Sequence, residues 1–185
     1  DNGTRWWFDL HTDGAGYDHL IIEGGGFRDR FPGDPQKHFV RMKGRGIFNF
    51  TITRVPPLIE DTLAAAGVGK EQVDYFIFHQ SNLFIMRHLA KKCGLPEDRI
   101  PITIGEFGSA GGPSVPLTIT NGGLKRPAER SLQLLLLAYG VGLSWGSALV
   151  DLPSAAILNH VQLPAAEAAV RREPQAVDVL PGPTV

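Results

Sequence analysis

The stretch Asp74-Tyr75-Phe76-Ile77-Phe78-His79-Gln80-Ser81-Asn82 leads straight into a second apolar pattern that ends at Gly94. The aromatic and branched residues at 75–78 read as a short buried strand. Leu83, Met86, Leu89 and Ala90 then recur at helical spacing, so a helix follows, capped by Ser81 or Asn82. A strand passing through a tight junction into a helix is the repeating unit of an open α/β sheet. The ligand-bearing rim of such sheets lies at the strands' C-terminal ends, and His79 stands on that rim. Two roles fit a histidine there: acid–base or oxyanion chemistry, and plain capping or packing.

Downstream, residues 99–104 read as a further short strand. The run Glu106-Phe107-Gly108-Ser109-Ala110-Gly111-Gly112-Pro113-Ser114-Val115-Pro116 is a small-residue turn entering a helix. Such a turn presents side chains and backbone N–H groups to a pocket. Residues 131–138 and 143–152 read as adjacent strands, with Tyr139-Gly140-Val141-Gly142 as the turn between them.

Upstream, residues 3–10 and 17–23 read as two strands around a turn at 11–16. His11 and Asp13 lack further metal ligands at useful spacing, which favours an Asx-type turn. Gly24-Gly25-Gly26 is a flexible loop, since no Lys-Ser/Thr follows to make a phosphate cradle. Phe48, Ile52, Val55, Ile59 and Leu63 give the helical segment 39–66 one apolar face, and Pro56-Pro57 predicts a kink or two pieces. The glycines at 44 and 46 make either a close approach for a ligand or a loop. Lys91 and Lys92 complement the C-terminal end of the second helix, and Cys93 reads as a small packing residue.

With 185 residues, 43% of them hydrophobic and 20% charged, the chain can bury one sizeable core. A net charge of -1 argues against general nucleic-acid binding. No apolar run reaches membrane-spanning length, and no signal-peptide pattern opens the chain. The single cysteine excludes an internal disulfide framework and fits a reducing, cytoplasmic compartment. The folded unit is expected at residues 1–152. Residues 153–185 are an Ala- and Pro-rich tail, expected to be partly disordered.

Three separated stretches, taken together, resemble β-ketoacyl-acyl carrier protein synthase III and its thiolase-superfamily relatives. They are His79-Gln80-Ser81-Asn82-Leu83, the run from Phe107 to Pro116, and Tyr139-Gly140-Val141-Gly142-Leu143-Ser144-Trp145-Gly146-Ser147-Ala148. Segments 9–14 and 42–48 are similar to that family as well, so the resemblance covers residues 8–152. It implies one half of an α-β-α-β-α sandwich, the C-terminal one: a mixed five-stranded sheet flanked by helices. The nucleophilic cysteine of the family lies in the N-terminal half, and Cys93 does not match it.

The resemblance also implies roles. His79 matches the histidine of the family's Cys-His-Asn triad, and Val141 a turn position whose backbone N–H completes an oxyanion hole. Asn82, Phe48 and Gly44 match positions around the pantetheine arm of coenzyme A or carrier protein. Lys91 and Lys92 match the carrier-docking face. The implied substrate is a coenzyme A or phosphopantetheine thioester, with no metal and no other cofactor. The implied partners are the N-terminal half with its cysteine, an acyl-CoA or acyl carrier protein, and a second complete unit in a homodimer.

Three positions depart from the pattern: Ser109 stands where the triad asparagine is expected, Phe84 where a docking arginine is usual, and Asn49 where a lysine is common. Three readings follow. The first is the half of an enzyme that loads an acyl group on cysteine and then performs decarboxylative Claisen condensation. The second is a non-decarboxylating acyltransferase of the same fold, favoured by Ser109. The third is a non-catalytic partner half.

Overall fold

The computed structural model describes residues 5–125, 129–156 and 158. Most of the expected tail therefore lies outside the described residues. The main sheet has four strands: β1 (Trp7–Thr12), β4 (Tyr75–Phe78), β5 (Leu132–Gly140) and β6 (Ser144–Leu152), in the order β1-β6-β5-β4. β5 runs parallel to β4 and antiparallel to β6, and β6 is antiparallel to β1. The sheet is mixed, as expected. β2 (Leu20–Ile22) and β3 (Val40–Met42) form a separate antiparallel pair, so the two N-terminal strands belong to different sheets. Between them residues Gly14–His19 form a 3₁₀ turn whose cap, Asp13, accepts from the Ala15 N–H at 3.0 Å.

The near-continuous apolar run of β5 marks a central strand buried on both faces. Side-chain alternation sends Phe76, Phe78, Leu135, Leu137 and Leu149 to one face, where helices α1 (Gly44–Ala66) and α2 (Leu83–Lys92) cover them with Val55, Ile59, Met86 and Leu89. Each such fully buried side chain contributes about 1.5–3 kcal/mol. Helix α4 (Ser114–Asn121) packs against β4 and β5 on the opposite face. That face stays open over β1, where Phe8 and Leu10 are exposed.

Three expectations are corrected. Residues 99–104 form no strand, so among the described residues the main sheet has four strands rather than five. A 3₁₀ turn (Glu97–Arg99) and the one-turn helix α3 (Ile104–Phe107) occupy this segment. The backbone between them turns inward to the buried Gln80, whose Oε1 accepts from the N–H groups of Thr103 (3.0 Å) and Ile104 (3.2 Å). Second, the helical segment begins only at Gly44, because Val40–Met42 is strand β3. The glycine approach is therefore the first turn of α1.

Third, of the two alternatives at Pro56-Pro57 the two-piece one does not occur, since α1 is a single helix through both prolines. Pro56 has no N–H to offer the Ile52 carbonyl one turn back. Lys92 supplies the missing donor, its Nζ reaching that carbonyl at 2.7 Å. The lysine at the end of α2 thus closes the gap that the proline opens. Both long helices end in Schellman motifs, with Gly67 and Gly94 left-handed at φ 67° and 62°. In these, Val68 N–H donates to Leu63 at 3.0 Å and Leu95 N–H to Ala90 at 2.9 Å.

Lys92→Met is expected to destabilise the domain by about 1 kcal/mol, the scale of one net hydrogen bond. In a Pro56→Ala background, which restores the backbone donor, the same substitution is expected to cost much less. A double-mutant cycle by urea unfolding measures the coupling. Equal costs in the two backgrounds would show that Lys92 does not serve the Ile52 carbonyl.

Candidate active site

The parallel ladder of β4 and β5 continues one residue past the strand, as His79 N–H donates to the Leu137 carbonyl at 2.7 Å. The imidazole is thereby fixed at the sheet rim. Asn82 starts α2, accepting from the N–H of Phe84 (2.8 Å) and of Ile85 (3.4 Å), as an N-cap should. Between them Ser81 N–H donates back to the His79 carbonyl at 2.8 Å, making the junction tight.

His79 is half-buried. Its Nδ1 lies 2.6 Å from Ser114 Oγ, and its ring meets Tyr139 edge-on with centroids 5.5 Å apart. Burial holds its pKa below the ordinary imidazole value, so the ring is neutral near pH 7. Tyr139 is itself buried and bonds through its hydroxyl to Ser81 Oγ at 2.8 Å. Burial pushes the Tyr139 phenol up to about 12, against a small lowering by Ser81.

His79, Ser114, Tyr139, Val141, Gly111 and Gly112 line one cavity of about 840 Å³ over the open face of the sheet. Its remaining wall is largely apolar, from Phe8, Leu10, Leu136 and Ala148 among others. Val141 stands exposed at the β5–β6 turn. That turn is pinned to the end of β1 by a reciprocal pair, Asp13 N–H to the Leu143 carbonyl (2.8 Å) and Leu143 N–H to the Asp13 carbonyl (3.0 Å). The arrangement thus puts a neutral, half-buried imidazole and the β5–β6 turn on one largely apolar cavity.

Not every expected residue converges there. Ser109 is exposed, beside Gly108 at φ 65°, and does not line the cavity. Gly44, Phe48 and Asn82 lie outside it as well. Phe48 instead joins Phe84 (6.1 Å) and His88 (5.9 Å) in an aromatic shelf between α1 and α2, with Phe84 66% exposed. Lys91 is exposed on α2, whereas the Lys92 ammonium is engaged on α1. His11 and Asp13 hold no common ligand: His11 pairs with Asp9 at 2.7 Å and stacks on Trp145, and Asp13 takes Arg54 at 3.2 Å. Among the described residues no group of three or more His, Cys, Asp or Glu is placed to hold a metal ion. Sequence reasoning missed the side chains of Ser114, Tyr139 and Ser81. All three sit inside the quoted motifs, but only the packing of α4 and β5 against the histidine reveals their contacts.

A mixed sheet with this rim histidine and this turn defines a thiolase-like half domain. Residues 63–152 match the family model described as 3-oxoacyl-[acyl-carrier-protein] synthase III C terminal. The chain is 35% identical over 144 residues to a β-ketoacyl-[acyl-carrier-protein] synthase III of Oleidesulfovibrio alaskensis, covering 76% of this chain and 44% of that protein. It superposes on the crystal structure of a 3-oxoacyl-(acyl-carrier protein) synthase from Burkholderia xenovorans LB400 with a TM-score of 0.75 and 42% identity, over 82% of this chain and 45% of the other. For the Thermus thermophilus β-ketoacyl synthase III the TM-score is 0.71 at 27% identity, over 84% and 48%. Over residues 63–152 the chain matches the C-terminal domain of ketoacyl synthase III, and in sequence and fold it is similar to the corresponding part of these relatives. It spans less than half the length of these relatives.

Tyr139→Phe is expected to keep the ring contact with His79, lose the Ser81 hydrogen bond and cost about 1 kcal/mol. The phenol's raised pKa makes its contribution fully present below the unfolded value near 10 and lost as pH climbs toward 12. Unfolding curves from pH 9 to 12 should therefore fall less steeply for Tyr139→Phe than for the parent. Parallel curves would place Tyr139 in contact with solvent.

Proposed function

We propose that this half domain supplies the histidine and an oxyanion donor to an acyltransferase completed by an N-terminal half that carries the nucleophilic cysteine. In the first step that cysteine thiolate attacks an acyl-CoA or acyl-carrier thioester and expels the carrier thiolate. The backbone N–H of Val141 would stabilise the tetrahedral oxyanion. In the second step a malonyl thioester loses carbon dioxide. The resulting enolate carbon attacks the acyl-cysteine, and the cysteine leaves as thiolate. His79 donates to the thioester oxygen as enolate charge develops. The observation that carries this reading is the neutral, half-buried His79 on the same apolar cavity as the Val141 turn.

Asn82, Phe48 and Gly44, at the junction of α1 and α2, would bind the pantetheine arm. The aromatic shelf favours coenzyme A over an acidic carrier, because Phe84 offers a ring where a cation would attract carboxylates. Lys91 remains an available docking cation. Complete units would pair as homodimers in the cytoplasm. A second reading, acyl transfer to an alcohol or amine without decarboxylation, is favoured by Ser109. Its side chain is short and lies outside the cavity, leaving the decarboxylation site without a triad amide.

With the N-terminal half supplied, His79→Ala is expected to impair carbon dioxide release from a malonyl thioester by about a hundredfold or more. Ser109→Asn should raise carbon dioxide release, by at most about a hundredfold, more than it raises cysteine acylation. Single-turnover measurements of the two steps decide. If carbon dioxide release is unmoved or lowered by Ser109→Asn, position 109 is not the vacant amide site.

Phe84→Arg probes the carrier. It is expected to raise kcat/KM for a carrier-bound acyl group relative to acyl-CoA. An unchanged ratio would remove the shelf from the argument about the donor.

A further inference from the structure

Ser114 is the first residue of α4, and its hydroxyl meets Nδ1 of His79 at 2.6 Å. The residue is only 2% exposed. Among the described residues this is the one hydrogen bond its Oγ makes. A neutral imidazole carries its proton on one nitrogen, and a hydroxyl has one proton to give. If Nδ1 held the ring proton, it would donate to Oγ, and the serine's own proton would be buried with no acceptor. If Ser114 donates to Nδ1, both groups are satisfied and the ring proton must sit on Nε2. We infer that Ser114 donates to Nδ1 and so holds His79 as the Nε2–H tautomer, which makes Ser114 a positioning residue for the histidine.

The surroundings reinforce this. Ser114 is anchored by its own N–H on the Gly111 carbonyl at 3.0 Å, and its carbonyl accepts from Thr118 Oγ1 at 2.8 Å. Thr118 Oγ1 meets Thr103 Oγ1 at 2.7 Å, and Thr103 N–H reaches Gln80 next to the histidine. The hydroxyl is therefore held against the ring by the first turn of α4 and by the segment behind it. The other side chains packed against the ring, or tied to its neighbour, are Tyr139 and Ser81, both uncharged. Nε2 has no hydrogen-bond partner among the described residues and is not among their sealed, unsatisfied atoms, so it opens to the cavity. The pair lacks the arrangement of a serine nucleophile with its base, because among the described residues no carboxylate takes the far nitrogen to orient the ring.

An Nε2–H facing the cavity is the form that donates to a thioester oxygen. That consequence rests on the chemistry proposed above; the tautomer itself does not. The test is two-bond proton–nitrogen correlation NMR on the full, nitrogen-15-labelled chain at neutral pH. His79 is expected to show an unprotonated Nδ1 and a protonated Nε2. Ser114→Thr, which keeps the hydroxyl, should preserve the pattern. Ser114→Ala should bring the Nδ1–H form into measurable population and raise the ring's pKa, since a hydrogen bond to its neutral form is lost. A protonated Nδ1 in the parent chain, or a Ser114→Ala variant with an unchanged tautomer ratio, overturns the assignment. In the completed enzyme Ser114→Ala should slow carbon dioxide release by about tenfold, with Ser114→Thr restoring it. The expected NMR pattern with carbon dioxide release unmoved by Ser114→Ala upholds the tautomer and tells against the thioester chemistry.

Discussion

One backbone hydrogen bond, from His79 N–H to the Leu137 carbonyl, decides where the chemistry sits. It is the rung that follows the pairing of Phe78 with Leu137, so the histidine inherits the rigidity of the parallel ladder that joins the outer strand β4 to the central strand β5. β5 carries that ladder on one edge and β6 on the other, and every residue from Leu132 to Leu137 except Gln133 is apolar. The same strand extends to Tyr139, whose ring lies edge-on to the imidazole, and then to Val141 at the turn. The histidine, the aromatic ring beside it and the β5–β6 turn thus have fixed mutual positions because two neighbouring strands end at one rim.

The helices set which face of that rim is open. α1 and α2 seal one face of the sheet, joined by buried apolar side chains and by a cross-helix contact, the Lys92 ammonium on the carbonyl that Pro56 leaves free. α4 covers only β4 and β5 on the other face, delivering Ser114 to Nδ1 and leaving β6 and β1 uncovered. The apolar side chains Phe8 and Leu10 stand exposed there beside the cavity. Exposed neighbours of this size on a sheet face mark a surface that another element covers, and the proposed N-terminal half is the occupant that the family's architecture implies.

Local rules made much of this legible. The apolar run at 75–78, the Asn82 cap, the two strands around Tyr139–Gly142 and the glycine stops are short-range signals, and each appears in the structure close to where it was expected. The misses share a cause: a partner distant in sequence overrode the local preference. Two pieces were one of the readings at Pro56 and Pro57 because the compensating donor lies 36 positions beyond Pro56, on another helix. Residues 99–104 read as a strand because Ile100, Ile102 and Ile104 alternate, yet their backbone is claimed by the buried Gln80 side chain. In the candidate site, motif and position pointed to His79 and Val141, which line one cavity. The hydroxyls of Ser81, Ser114 and Tyr139 were not, since a serine beside glycines looks like any turn serine until the fold sets it against a ring.

The placement of the one thiol argues for divided chemistry. Cys93 caps the C-terminal end of α2, whereas His79 precedes its N-terminal end. A helix of 10 residues is about 15 Å long, so the sulfur lies roughly a helix length from the imidazole, well beyond hydrogen-bond reach. The thiol is buried, and that burial pushes its pKa up despite the nearby lysines, which leaves it protonated and inert at neutral pH. Neither the position nor the ionisation of Cys93 suits a nucleophile, and among the described residues that line the cavity with His79 there is no thiol. A neutral imidazole on an apolar cavity, open on one side and without a thiolate, accords with the proposal that the sulfur comes from another half. Under that proposal the sulfur would come in over the face that Phe8 and Leu10 leave bare.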